Sequence, residues 1–165
     1  MSTIISRELL EKAVRLHGHL GPFLVLGLKM SLLAKKILGR KPSRCEIATI
    51  SRKPYLCAVD GIKVVIGNAV TAKEDDGLSA KFSAEGKEIV FRAKKNLVKK
   101  YAEGPWKKCE EYAHEVMKSD DEWLFMQNVG RVVRTKSVDW TVSRTQASRI
   151  FRVDISPIPA RTDKN

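Results

Sequence analysis

The first part of the chain carries apolar residues at helical spacing. A first helix is predicted over residues 7–16, with Ser6 as its N-cap, by the apolar residues Leu9, Leu10, Ala13, Val14 and Leu16. A second helix is predicted from Pro22 to Leu38, with Gly39 ending it. Its first two turns are apolar on nearly all sides, which is typical of a buried helix.

The rest of the chain mixes extended and helical patterns. Strands are predicted over residues 46–51 and 69–71, and a hairpin with arms at 78–83 and 88–93. Short helices are predicted over residues 58–66, from Pro105 onward, and at a capping box over residues 119–122. Extended segments are predicted at 131–134 and 149–156. This pattern predicts an α+β fold, with buried N-terminal helices packed on a mostly antiparallel sheet. We expect a single core domain over residues 1–156 and a flexible tail over residues 157–165.

Composition narrows the class of protein. The 165 residues suit one domain, and 43% are hydrophobic and 30% charged, a globular balance. Three cysteines without a C-x-x-C pair argue against a disulfide framework and against a four-cysteine zinc ribbon. The sequence lacks a 20-residue apolar run and a signal-peptide pattern, so we expect a cytoplasmic protein with no membrane association. The net charge of +12 attracts anions, but the basic residues are scattered. The absence of a base-stacking aromatic series argues against nucleic-acid binding.

The segment His17-Gly18-His19-Leu20-Gly21-Pro22 is the first candidate for chemistry. It joins the two predicted helices, and Gly18 and Gly21 are expected to let the backbone turn tightly around the two imidazoles. Imidazoles are common metal ligands. The alternative is that His17 simply ends a helix and His19 lies in a loop.

The segment Cys57-Ala58-Val59-Asp60-Gly61-Ile62 is the second candidate. Cys57 is predicted to begin a helix, where a thiol has a lowered pKa, so we expect it to be the most reactive of the three thiols. Asp60 lies on the same helix face and could bind a metal, orient a ligand or cap the helix. Alternatively Cys57 is an inert buried thiol. Cys45 and Cys109 are predicted to be packing residues.

Two imidazoles and one thiolate together suit a divalent metal, with zinc as the expected ion. Three protein ligands would leave one coordination position open, as in a reactive site. If His17, His19 and Cys57 share a metal, their ligand atoms should lie within about 4–5 Å of one another. Metal affinity should then fall as the pH drops below about 6, because the ligands must be deprotonated.

Three motifs together resemble the FmdE family of proteins related to formylmethanofuran dehydrogenase. They are the segment at 17–27 (His-Gly-His-Leu-Gly-Pro-Phe-Leu-Val-Leu-Gly), that at 57–62, and Gly-Asn-Ala-Val-Thr at 67–71. The resemblance covers roughly residues 7–130. Two features depart from it: Thr71 is not followed by a Gly-Lys-Gly-Asn-like run, and no cysteine-rich zinc finger follows Cys109.

The resemblance implies an α+β core domain, usually dimeric, with a metal site built from the histidine and cysteine motifs. It also implies an association with the molybdenum or tungsten enzyme that forms formylmethanofuran in methanogens. We therefore expect a metal-binding protein that is accessory or related to a molybdopterin-dependent oxidoreductase. The alternatives are a stand-alone metal-dependent enzyme, or a basic module that binds anions or nucleic acid. The apolar second helix is a separate reason to expect a homodimer.

Overall fold

The two N-terminal helices form where the apolar pattern predicts them. The computed structural model describes residues 2–126, and the backbone alone at residues 132–134. Helix α1 spans Arg7–His17, and the Ser6 hydroxyl accepts a hydrogen bond from the Leu9 amide at its start. Helix α2 spans Pro22–Leu38 and ends at Gly39, which adopts a left-handed conformation. The predicted caps of both helices are confirmed.

A five-stranded mixed sheet completes the architecture. Its strands are β1 (Arg44–Thr49), β2 (Val70–Glu74), β3 (Leu78–Ala84), β4 (Lys87–Arg92) and β5 (Val132–Arg134). They lie in the order β2-β1-β3-β4-β5, with β1 and β2 parallel and the other described neighbours antiparallel. Helix α3 (Cys57–Ile66) connects the two parallel strands. The predicted α+β fold with a mostly antiparallel sheet is confirmed.

The second half of the chain differs from the prediction in its helices. Helix α4 (Lys95–Glu103) was not predicted, although Leu97, Val98 and Tyr101 give it a buried face. A 3₁₀ turn (Trp106–Lys108) precedes helix α5 (Cys109–Lys118), and helix α6 (Asp121–Leu124) is one turn long. The predicted capping box at 119–122 is wrong. The N-cap is Asp120, and the Ser119 hydroxyl donates back to the Glu115 carbonyl.

Helix α2 is buried within its own chain. Its residues from Pro22 to Ser31 are all buried, because α3 and α5 pack on it and β3 and β4 lie against it. The apolar surface that seemed to require a second copy of the chain is therefore covered by the chain itself. This removes one reason for expecting a homodimer, and that expectation now rests on the family resemblance alone.

Helices α2 and α3 approach each other backbone to backbone at two glycines. A Cβ atom added at Gly27 would lie 2.3 Å from the carbonyl oxygen of Ala58. One added at Gly61 would lie 2.3 Å from the carbonyl oxygen of Leu24. Both distances are far shorter than van der Waals contact, so this spacing of the helices requires glycine at both positions. The close packing brings the start of α3 beside the junction between α1 and α2.

A buried lysine ties the start of the chain to its later helices. Lys29 of α2 is fully buried, and its ammonium donates to the Ser119 carbonyl at 2.7 Å and to the Ser2 hydroxyl at 3.2 Å. The Thr3 amide and hydroxyl both donate to the Asp121 carboxylate. Burial lowers the pKa of Lys29, and the carboxylates of Asp121 and Asp120 partly oppose that shift.

Some predictions concern residues that lie outside the described part of the chain. These are the extended segment at 149–156 and the tail at 157–165. Within the described residues, every helix is too short or too polar to cross a lipid bilayer.

Candidate metal centre

The two histidines converge at the junction of α1 and α2. Gly18 has φ 109°, a left-handed conformation, and its amide donates to the Val14 carbonyl, which ends α1 at His17. His19 follows directly, and its ring centroid lies 4.6 Å from that of His17. The predicted turn at Gly18 therefore brings the two imidazoles side by side.

Gly21 serves a different purpose from the predicted one. Its φ of −150° is ordinary extended backbone, so it is not a turn that requires glycine. However, a Cβ atom at this position would lie 2.9 Å from the Cys109 sulfur and 3.3 Å from His19 Nε2. Gly21 therefore leaves room for two side chains at the site.

Cys57 joins the histidines from the first position of α3. One ligand atom from each of His17, His19 and Cys57 lies within 4.8 Å of the others, the separation expected from the sequence. Zinc bonds of about 2.0–2.3 Å in tetrahedral geometry separate neighbouring ligand atoms by roughly 3.3–3.8 Å. The widest-spaced donors would therefore need to approach each other by about 1–1.5 Å around one ion.

Asp60 fixes the orientation of the His17 ring. Its Oδ2 lies 2.7 Å from His17 Nδ1, and a carboxylate accepts, so Nδ1 carries the proton. When the ring is neutral, Nε2 is therefore its unprotonated nitrogen. It is buried and has no hydrogen-bond partner among the described residues. A buried imidazole nitrogen held without a partner beside a thiol and a second imidazole is the arrangement of a metal ligand with its orienting carboxylate. The residues present therefore fit a divalent metal.

The expected low pKa of Cys57 is wrong. Burial raises the pKa of this thiol, with Asp60 and Cys109 adding to the shift, and Lys53 and the backbone amide of Cys57 offset it only in part. The first amides of α3 are also engaged, since those of Cys57 and Ala58 donate to the carbonyls of Pro54 and Tyr55. In the protein without metal, Cys57 is therefore a protected thiol rather than an activated one.

The pKa of His19 shifts in the direction that favours metal binding. Burial lowers it, and repulsion from Lys53, and from His17 when that ring is protonated, lowers it further. His19 therefore stays neutral to a lower pH than an ordinary histidine, and competes less with protons for a metal.

Two residues at the site were not recognised from the sequence. Cys109, predicted as a core residue, is half-buried, and its thiol lies 3.5 Å from the Leu20 carbonyl oxygen beside the histidine segment. Trp106, which belongs to none of the sequence motifs, is 73% exposed, and its ring centroid lies 5.1 Å from that of His19. Both come from the segment around the start of α5, and no sequence motif links that segment to the histidines.

The thiols should differ in reactivity in the metal-free protein. We expect iodoacetamide to modify Cys109 first, because it is the most exposed of the three. Cys45 should be modified last, because it is fully buried and burial raises its pKa to about 12. Peptide mass spectrometry over a time course measures the order. Modification of Cys57 ahead of Cys109 would contradict this reading of the site.

Comparison with known families agrees with the motifs. The sequence matches the family described as "FmdE, Molybdenum formylmethanofuran dehydrogenase operon" over residues 16–135, which is well over half of the chain. The match includes both histidines, Cys57 and Asp60. No curated protein matches the chain. On the extent of the family match, this chain belongs to the FmdE family.

Proposed function

We propose that this protein binds one divalent metal ion through His17, His19 and Cys57, and that zinc is that ion. Asp60 acts as the residue that orients His17 rather than as a ligand, because its oxygen is already bonded to His17 Nδ1. The mixed nitrogen and sulfur donor set supports zinc. When bound, such an ion supplies Lewis-acid chemistry at its open position.

The observation that carries the proposal is the buried Nε2 atom of His17, which lacks a hydrogen-bond partner among the described residues. The His17 side chain is only 9% exposed. An unsatisfied buried polar atom costs about 1–3 kcal/mol, so folded proteins keep few of them. A metal bound to Nε2 would satisfy that atom, and the neighbouring donors are in position to complete the site.

We further propose an accessory role beside a molybdenum- or tungsten-dependent formylmethanofuran dehydrogenase. Membership of the FmdE family supports this association. The candidate site itself favours a second function, a metal-dependent enzyme in its own right, because three protein ligands leave a position where a substrate could bind. The homodimer, the cytoplasmic location and the domain limits of 1–156 remain proposals from the sequence.

Metal analysis of protein purified without an affinity tag tests the site. We expect about one zinc per chain in the natural protein and a large loss in the Cys57→Ser variant, because a hydroxyl is a poor substitute for a thiolate ligand. Cobalt(II) gives a second readout, since a thiolate–cobalt charge-transfer band should appear in the natural protein and be absent from Cys57→Ser. Cobalt retention should weaken below pH about 6.

The Cys45→Ala variant is the matched control, because Cys45 is a buried cysteine of β1 and not one of the three clustered ligands. It should keep the full metal content. Circular dichroism verifies that both variants are folded. Equal metal content in Cys57→Ser and the natural protein would overturn the proposal, and so would a natural protein that takes up neither zinc nor cobalt.

A further inference from the structure

An exposed indole stands beside the candidate metal centre. Trp106 lies on the 3₁₀ turn before α5, and its ring contacts the imidazole of His19 at an interplanar angle of 54°. Most of the indole remains accessible, although burial of such a side chain would be favourable. Other large apolar residues are also exposed, but among the described residues Trp106 is the one whose ring contacts a candidate ligand. Its free face is a surface on which a planar group could stack.

A positive charge lies close to the same ligands. Lys53 precedes Cys57 by one turn of the segment that leads into α3, where the Cys57 amide donates to the Pro54 carbonyl. Its side chain is exposed and forms no ion pair with a described residue. The Leu56 amide donates to the Arg52 carbonyl in the same turn, which keeps the Lys53 backbone close to Cys57. The carboxylate of Asp60, which lies beside the same ligands, is engaged with His17.

From this arrangement we infer that the open position of the centre takes a small organic anion with a planar ring, such as an aromatic carboxylate. The ring stacks on Trp106, and the anionic group lies toward Lys53 and the metal. The inference rests on the proposed metal centre and goes beyond it, because it names the chemical class of the ligand and two residues that select it. Besides the metal, a simple anion would interact only with Lys53, and a neutral aromatic compound would interact only with Trp106.

Cobalt-loaded protein allows the test, because the visible absorption of cobalt(II) changes when a ligand enters its coordination sphere. The probes are benzoate, acetate and benzamide, titrated separately after cobalt content has been measured. We expect benzoate to bind about 2- to 10-fold more tightly than acetate, which is the effect of one aromatic contact. Benzamide should bind more weakly than benzoate.

The variants separate the two contributions. Trp106→Ala should remove the preference for benzoate over acetate, and Trp106→Phe should retain most of it. Lys53→Met should weaken the binding of both benzoate and acetate by about 1.5- to 5-fold, and added salt should reduce this difference in affinity. Trp123→Ala and Lys99→Met are the controls. They change an exposed tryptophan on α6 and an exposed lysine on α4, and should leave both affinities unchanged.

Three results would overturn the inference. The first is cobalt-loaded natural protein that binds benzoate no better than acetate, which would leave the metal centre itself standing. The second is a Trp106→Ala variant that keeps the preference. The third is a change in oligomeric state on Trp106→Ala, measured by light scattering, since Trp106 would then belong to an interface between copies. A natural protein that takes up no cobalt or zinc contradicts the proposed function together with this inference.

Discussion

Replacing Gly27 with alanine is expected to lower the free energy of unfolding by about 1–3 kcal/mol, the usual cost of overpacking a core. The new Cβ would lie 2.3 Å from the Ala58 carbonyl oxygen. Because that neighbour is backbone rather than a flexible side chain, helices α2 and α3 must move apart. Alanine's better helix propensity, about 1 kcal/mol over glycine, offsets only part of the cost. Chemical denaturation measures the change.

The same substitution should also weaken metal binding, since Cys57 belongs to α3 and the histidines precede α2. Gly61→Ala, on the opposite side of the same contact, should have the same effects. The double variant should lower the free energy of unfolding by less than the sum of the two single variants. Gly77→Ala is the control, because its Cβ would meet only the ends of the Lys95 and Asp75 side chains, at 3.6 Å and 3.9 Å. A Gly27→Ala protein as stable as the natural one would show that the two helices are not held this closely.

Replacing Asp60 with asparagine is expected to reduce zinc affinity about 10- to 100-fold, the usual effect of losing a partner that orients a ligand. The amide can still accept from His17 Nδ1, but it lacks the negative charge that makes the imidazole a stronger ligand. Competition with a chromophoric chelator measures the affinity. Asp76→Asn, an exposed carboxylate paired with Lys95, should leave it unchanged.

The size of this effect also separates the two roles that the sequence left open for Asp60. A loss of metal as complete as that of Cys57→Ser would make Asp60 a direct ligand. An unchanged zinc affinity would show that Asp60 has no role in metal binding. The intermediate loss is the result that an orienting carboxylate predicts.

Local chain signals were enough to predict the elements that carry the site. Ser6 and Gly18 mark the two ends of α1, and Pro22 and Gly39 mark the two ends of α2, because each residue type is favoured at that position of a helix. The histidine and cysteine motifs were recognised because imidazole and thiolate are typical metal donors. The hairpin of β3 and β4 followed from its alternating pattern and its tight turn.

Features that depend on contacts between distant segments could not be predicted in the same way. The pKa of Cys57 is set by burial and by Asp60 and Cys109, rather than by the start of its helix. The requirement for glycine at positions 27 and 61 becomes visible only when α2 and α3 are placed together. Helix α4 was not predicted, since its buried side consists of only three residues, Leu97, Val98 and Tyr101, among exposed lysines.

The hydrogen bonds of Lys29 have a consequence for the order in which the protein can fold during synthesis. Its ammonium is held by the Ser119 carbonyl, and the segment at Ser2 and Thr3 is held by residues 119 and 121. The histidines, Cys57 and Asp60 have all been translated well before those partners leave the ribosome. Until then Lys29 cannot bind the Ser119 carbonyl, and α5 is not yet present to pack on the apolar surface of α2. The nascent chain therefore carries all of its metal donors before its core can close. The delay is the time needed to translate some sixty further residues, at about 5–20 residues per second.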